Sequence, residues 1–175
     1  MPLPLDDRLK IGIQTIHRRT EPATGPWLPR IDELIELVEL VDRCGYDSLW
    51  VGDHISFAIP ILDPLLQLAQ AAVASRRLLL GTNVYLLPLR HAGPVAKQVS
   101  TLDHLTEGRL IFGVGVGGEF PREYQLAGVP IGLYSHHGLI GTAEAQQAAS
   151  DEPLRQLILA IADALASVAV DSERT

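Results

Sequence analysis

The pair Asp53-His54 contains the residue types that could transfer a proton or bind a polar ligand. It follows the apolar run from Ser48 to Val51. A carboxylate beside an imidazole can orient the ring, exchange a proton with it or hydrogen-bond the polar edge of a cofactor. The same pair can also cap a loop, and the residues alone leave these two interpretations evenly balanced. The position directly after an apolar run slightly favours the functional interpretation over the capping one.

A second candidate site lies at Gly81-Thr82-Asn83-Val84, where a glycine and two small polar residues interrupt an apolar run. Glycine inside a strand indicates either a bulge or the close approach of a flat group to the backbone. A plain irregularity of the strand explains the same residues and is the simpler interpretation.

The glycine-rich run from Gly113 to Gly118 matches the pattern G-x-G-x-x-G of dinucleotide-binding domains. That pattern normally follows the first strand of its unit, opens a helix and has an acidic residue about 20 positions later. Here Pro121 follows closely, and the segment 133–138 contains no carboxylate. A small dinucleotide-binding domain is therefore the least favoured interpretation, and we expect tightly packed backbone at a ligand-facing end. Glu119 is a candidate polar contact or simply a solvated side chain.

The elements that must position these residues repeat at a fixed interval. Ser48, Leu79 and Leu110 each begin or enter an apolar run, and they are 31 residues apart. This interval suits one parallel strand plus a crossover helix, and sites in such sheets lie at the carboxyl ends of the strands. The pattern predicts strands over 9–15, 46–51, 78–87 and 110–116, with helices from 31 to about 45, from 63 to about 76 and from about 95 to about 108.

Composition narrows the class of protein. The chain has 175 residues, of which 47% are hydrophobic, and a net charge of −7, which argues against nucleic acid or an anionic membrane as partner. The single cysteine, Cys44, is predicted to be a small core residue. The adjacent pair His136-His137 does not favour a metal site, because neighbouring residues rarely point at one ion. The N-terminal residues lack a signal-peptide layout, so a cytoplasmic location is expected.

The segment 9–130 resembles the luciferase-like oxidoreductases, which depend on flavin or deazaflavin. The resemblance rests on GYDSLWVGDH (45–54), RLLLGTNVYLLPLRHAGPVAKQVSTLDHLTEGRLIFGVGVGGEF (77–120) and REYQLAGVP (122–130). Together, in this order and spacing, these stretches are highly specific. The resemblance implies a TIM-barrel-type α/β fold, with FMN or the deazaflavin coenzyme F420 at the carboxyl ends of the strands and a small molecule as substrate.

The resemblance also implies roles for particular residues. His54 corresponds to a proton-transfer residue beside the cofactor ring, and Asp53 would lie next to the ring as well. Asn83-Val84 falls where many members have a bulge with a non-proline cis peptide that supports the ring. Three further residues fall on the loop that lines the pocket beside the fourth strand: Gly117, Gly118 and Glu119.

The strand pattern departs from the family after residue 130. A complete barrel needs about 250 residues, whereas the pattern here supplies four strands and then an amphipathic helix from 151 to about 168. We therefore expect a barrel truncated to about four parallel strands plus a C-terminal helix. Residues 1–130 would form the partial barrel, and 131–175 a divergent linker and helix. Open strand edges predict a homodimer. Two functions remain open: an oxidoreductase, or a non-catalytic remnant that only folds or associates.

Overall fold

Parallel strands alternate with helices along the described part of this computed structural model, which comprises residues 9–15, 28–57, 60–117 and 120–129. The strands are β1 (Gly12–Gln14), β2 (Ser48–Val51), β3 (Leu79–Thr82), β4 (Tyr85–Leu86), β5 (Leu110–Ile111) and β6 (Val114–Gly115). The helices are α1 (Ile31–Arg43), α2 (Pro64–Ala74), α3 (Ala92–Leu105) and α4 (Pro121–Ala127), with a 3₁₀ turn at Leu87–Leu89. The predicted βαβαβαβ order is confirmed.

The main sheet is entirely parallel, in the order β1-β2-β3-β5. Its register places Trp50 between Gln14 on β1 and Gly81 on β3. Because side chains alternate along a strand, Leu49 and Val51 share the opposite face of β2 from Trp50. Both pack into the main hydrophobic core with residues of α1, α2 and α3, including Val38, Val41, Leu68, Ala71, Val95 and Val99. The helices therefore cover one face of the sheet.

Local sequence signals fix where the helices start and stop. The carboxylate of Asp63 accepts hydrogen bonds from the backbone N–H groups of Leu65 (3.0 Å) and Leu66 (3.1 Å), and Pro64 occupies the first turn of α2. These contacts satisfy backbone donors that the helix itself cannot. After α1 the chain turns at Gly45, whose φ is +82°, a conformation that favours glycine.

The two long strands predicted over 78–87 and 110–116 are each divided in two. β3 ends at Thr82 and β4 begins at Tyr85, while β5 and β6 are separated by Phe112 and Gly113. The carbonyl oxygen of Gly113 accepts hydrogen bonds from the Thr82 hydroxyl (2.7 Å) and from the Tyr85 N–H (2.8 Å). Both strands thus leave the main sheet at the same level, and the freed polar groups pair with one another. β4 and β6 then form their own parallel pair.

Cys44 is exposed, so the prediction that it belongs to the core is wrong. The buried stripe of α1 consists of Leu34, Val38 and Val41. The helix ends at Arg43, and Cys44 is the residue that follows it. The residue therefore lies past the last turn that packs on the sheet.

Several sequence-based predictions lie outside the described residues. These are the linker and amphipathic helix of 131–175, the pair His136-His137, and the site candidates Gly118 and Glu119. Among the helices that the structure describes, none combines the length and the apolar character needed to cross a bilayer.

Candidate active site

The candidate residues of the described segments collect at one end of the sheet. Because β1, β2 and β3 run parallel, their carboxyl ends share one edge. Gln14 ends β1, Asp53 and His54 follow β2, and Asn83 follows β3. The N–H of Asn83 donates to the carbonyl of Val51 (2.7 Å), which holds the ends of β2 and β3 together. The sequence-based placement of Asp53 and His54 directly after a strand is thereby confirmed, whereas Asn83, which was predicted inside the strand 78–87, follows the end of β3.

Asp53 is buried and forms an ion pair with Arg90. Its Oδ1 accepts from Arg90 Nη2 at 2.8 Å, and its Oδ2 accepts from Arg90 Nη1 at 2.5 Å and from the Leu86 N–H at 2.8 Å. The guanidinium also lies 4.2 Å above the ring of Tyr85. Both carboxylate oxygens are therefore engaged inside the protein, where they tie the end of β2 to the segment after β4. A two-pronged pair of this kind has a well-defined geometry.

His54 is half-buried and is held on three sides. Its Nδ1 lies 3.3 Å from Oε2 of Glu123. The ring of Phe57 stacks on it at a centroid distance of 4.6 Å, and the ring of Phe120 meets it edge-on at 5.1 Å. Aromatic contacts of this type fix a ring without using its polar atoms. The imidazole is thus oriented by one carboxylate and two aromatic rings.

Glu123 is a site residue that the sequence analysis missed. It is only 2% exposed, and its Oε1 accepts hydrogen bonds from the N–H groups of Ile55 (2.6 Å) and Ser56 (3.0 Å). Glu123 lies in the first turn of α4, a favourable place for a negative charge. The sequence analysis selected Glu119 because it directly follows the glycines. Nothing local in the sequence indicates that Glu123 meets a loop 68 residues away.

The peptide bond between Asn83 and Val84 is cis, as the resemblance implied. The Asn83 side chain donates to Gln14 Oε1 (3.0 Å), and Gln14 Nε2 donates to the Asn83 carbonyl (3.3 Å). These reciprocal bonds join the ends of β1 and β3 across the intervening β2. Val84 is 38% exposed, and a Cβ at Gly115 would lie 2.3 Å from its Cγ2. The position of Gly115 therefore has to remain a glycine for Val84 to lie where it does.

Gly117 combines a left-handed conformation with a close contact. Its φ is +71°, and a Cβ there would lie 2.9 Å from the hydroxyl of Tyr124. That hydroxyl donates to the carbonyl of Val116 at 2.5 Å. The glycine-rich stretch is thus packed against α4, which agrees with the expectation of tightly packed backbone.

A flat group approaches the backbone at Gly81, which is one of the two interpretations that the sequence offered. That group is the indole ring of Trp50. A Cβ at Gly81 would lie 2.4 Å from the indole ring of Trp50, and a Cβ at Gly12 would lie 2.5 Å from the indole Nε1. The indole N–H donates to Ser48 Oγ at 2.8 Å. The glycines on β1 and β3 therefore make room for the Trp50 ring across the face of the sheet opposite the helices.

The chemistry of this end of the sheet suits a flat, partly polar group. Val84 and Val114 are half-exposed apolar side chains, and the oriented imidazole of His54 and the paired amides of Gln14 and Asn83 supply polar groups near the ends of β2 and β3. Within the described ranges, no cluster of three or more His, Cys, Asp or Glu side chains is placed to hold a metal ion. The aromatic ring of a redox cofactor fits a surface that is mainly apolar with a few polar groups.

Comparison with known proteins agrees with the geometry. The family model described as luciferase-like monooxygenase matches residues 9–153, and thus extends past residue 130, where the sequence pattern predicts a domain boundary. The chain is 44% identical over 96 residues to 4-hydroxyprotoasukamycin monooxygenase of Streptomyces nodosus subsp. asukaensis, covering 54% of this chain and 26% of that protein. It is 35% identical over 96 residues to F420-dependent glucose-6-phosphate dehydrogenase of Beutenbergia cavernae, covering 49% and 27%.

A solved structure shares the fold. The oxygenating constituent of 3,6-diketocamphane monooxygenase of Pseudomonas putida, in complex with FMN, superposes with a TM-score of 0.62 at 23% identity, covering 87% of this chain and 39% of that one. The segments that match the monooxygenase of Streptomyces nodosus and the dehydrogenase of Beutenbergia cavernae span about a quarter of the length of each of these relatives. The α/β fold of TIM-barrel type is confirmed. With a family model that matches most of its length, the chain belongs to the luciferase-like monooxygenase family.

Proposed function

We propose that this chain supplies the ring-facing part of an oxidoreductase that uses FMN or coenzyme F420 and acts on a small organic substrate. The observation that carries the proposal is the oriented imidazole of His54 at the carboxyl end of β2, held against Glu123. The named relatives, a monooxygenase and an F420-dependent dehydrogenase, support an enzyme rather than the non-catalytic remnant. The diketocamphane enzyme, which shares the fold, holds FMN.

In this proposal the strand ends share the binding of the cofactor ring. Val84 and Gly117 would contact the ring through apolar and backbone atoms, and Asn83 would keep the backbone in place through its bonds to Gln14. Asp53 would act indirectly, because Arg90 and Leu86 engage its carboxylate. Gly118 and Glu119 are proposed for the same loop on the basis of the family resemblance. When bound, FMN or coenzyme F420 supplies two-electron redox chemistry.

His54 is the proposed catalytic residue. Its Nδ1 faces a carboxylate, so its Nε2 is the atom that can exchange a proton with a reacting group. Phe57 and Phe120 flank the ring and would limit access of water to it. General acid–base catalysis of this kind contributes about 10²–10⁴ in rate.

Cofactor titration of the purified chain tests the proposal. Absorption and fluorescence should show binding of FMN or coenzyme F420 at micromolar concentration or below. A Val84→Asp variant should weaken binding by at least about tenfold, since it places a charge where an apolar surface is expected. Val73→Asp is the matched control, because Val73 is 82% exposed on α2, outside the strand ends. Absence of binding of both cofactors to the folded chain would refute the proposal.

We also propose that the chain forms homodimers through its open edges. In the described part, β1 and β5 are the outer strands of the main sheet. Ile11 (36% exposed), directly before β1, and Ile111 (38% exposed), on β5, remain accessible, and unpaired edges with apolar side chains favour association. Light scattering should give the mass of a dimer, and an Ile111→Lys variant should shift the population towards monomer. A wild-type monomer at every concentration tested would contradict this.

A further inference from the structure

We infer that Glu123 is a positioning residue that selects the tautomer of His54. Two backbone donors and one ring nitrogen meet its buried carboxylate: the N–H groups of Ile55 and Ser56 donate to Oε1, and Nδ1 of His54 lies 3.3 Å from Oε2. An ionised carboxylate can only accept hydrogen bonds, as Oε1 does here from two backbone N–H groups. His54 must therefore carry a proton on Nδ1 to pair with it. The neutral ring then has its lone pair on Nε2.

In the part of the chain that the structure describes, the carboxylate next to His54 in sequence is already engaged. Asp53 precedes His54 in the chain, but its two oxygens accept from Arg90 and from the Leu86 N–H. The two aromatic rings that contact the imidazole, Phe57 and Phe120, offer no side-chain acceptor for Nδ1. From α4, the carboxylate that meets the ring is that of Glu123. Among the described residues, the side chain that sets the tautomer of His54 is thus that of Glu123.

Glutamine at position 123 has nearly the same shape and should reverse the tautomer. Its single carbonyl oxygen would take the place of Oε1, where two backbone N–H groups need an acceptor. Its amide NH₂ would then face Nδ1 of His54 as a donor. The imidazole would have to present a lone pair at Nδ1 and carry its proton on Nε2. The consequence for proton transfer rests on the proposed function, but the tautomer itself does not.

Long-range ¹H–¹⁵N correlation spectra of the histidine rings test the inference at about pH 9, above the usual titration range of imidazole. The full chain labelled on histidine contains 6 such residues, and a His54→Asn variant identifies the signals of His54. Wild type should show Nδ1 protonated and Nε2 unprotonated. Glu123→Gln should show the reverse. Nε2 protonated in wild type, or the same tautomer in both proteins, would overturn the inference.

Two controls separate this inference from folding and from the proposed function. Glu36→Gln makes the same chemical change at an exposed position of α1 and should leave the His54 signals unchanged. Circular dichroism should show that Glu123→Gln remains folded, because both backbone N–H groups keep an acceptor. If the wild-type chain binds neither FMN nor coenzyme F420, the proposed function fails while the tautomer result still decides the role of Glu123.

Discussion

The carboxylate of Asp53 and the guanidinium of Arg90 form a buried, two-pronged ion pair across 37 residues of sequence. The pair joins the end of β2 to the segment after β4. Asp53 has a fully buried side chain and Arg90 a largely buried one. Burying two charges requires close pairing and further hydrogen bonds. Here the Leu86 N–H and carbonyl supply the further hydrogen bonds, and the Tyr85 ring adds a cation–π contact.

Removing one partner of this pair should destabilise the fold strongly. We expect Arg90→Met to lower the free energy of unfolding by about 3–5 kcal/mol, because it leaves an uncompensated buried carboxylate. The double variant Asp53→Asn/Arg90→Met should recover part of that loss, since the asparagine oxygen can still accept from Leu86. Urea unfolding measures all three proteins.

The matched control for that experiment is the exposed pair Arg76–Glu107, at a similar distance of 3.0 Å. Arg76→Met should change the free energy of unfolding by no more than about 1 kcal/mol, as is typical of surface ion pairs. Equal effects of Arg90→Met and Arg76→Met would show that burial of the Asp53–Arg90 pair has no energetic consequence.

Replacing Gly81 by alanine should destabilise the sheet through a clash with Trp50. The new Cβ would lie 2.4 Å from the indole ring, and overpacking of this kind costs about 1–3 kcal/mol. Gly93→Ala on α3 is the control, because a Cβ there has no neighbour within 4 Å and alanine favours a helix. A double-mutant cycle with Trp50→Phe should show that the smaller ring relieves part of the cost. Strict additivity in that cycle would exclude the clash as the cause.

Asp63 should contribute to stability as the N-cap of α2. Asp63→Ala removes the acceptor for the Leu65 and Leu66 N–H groups and should lower the free energy of unfolding by about 1 kcal/mol. Asp63→Asn keeps an oxygen acceptor, so thermal unfolding of that variant should stay close to wild type. A large loss on Asp63→Asn would indicate that charge, rather than capping, is the important property.

Alkaline conditions should unfold the protein partly through Tyr85. Burial raises the pKa of Tyr85 to about 12, above the value of about 10 for a tyrosine in the unfolded chain. Between these values the unfolded state loses its proton first, so stability should fall as pH rises from about 10 to about 12. The free energy of unfolding of each protein is compared with its own value at pH 8. Over the pH range from about 10 to about 12, that of Tyr85→Phe should fall less than that of wild type. Parallel pH profiles of the two proteins would contradict the prediction.

Local patterns were sufficient to predict the positions of α1, α2 and α3 and the parallel order of the strands, whereas α4 was not predicted. The apolar spacing of α1, the Asp63-Pro64 start of α2 and the interval between strands depend on residues close in sequence. The break at Asn83-Val84 falls where the family resemblance implied a bulge, whereas the break at Phe112-Gly113 was not predicted. An apolar run has the same sequence pattern whether its strand pairs with one neighbouring strand along its whole length or changes its pairing partner midway. The Gly113 carbonyl, which pairs with Thr82 and Tyr85, decides this.

The sequence by itself determined the family, the strand ends as the place of the site, and His54 as its central candidate, because motif order and strand spacing are properties of the linear chain. Only the tertiary structure decided what each polar group contacts. In the folded chain, Asp53 pairs with Arg90, the Trp50 ring lies over Gly81, and Glu123 contacts His54. These contacts join residues 31 to 69 positions apart. Such pairings follow from how helices and strand ends pack together, which no local pattern specifies.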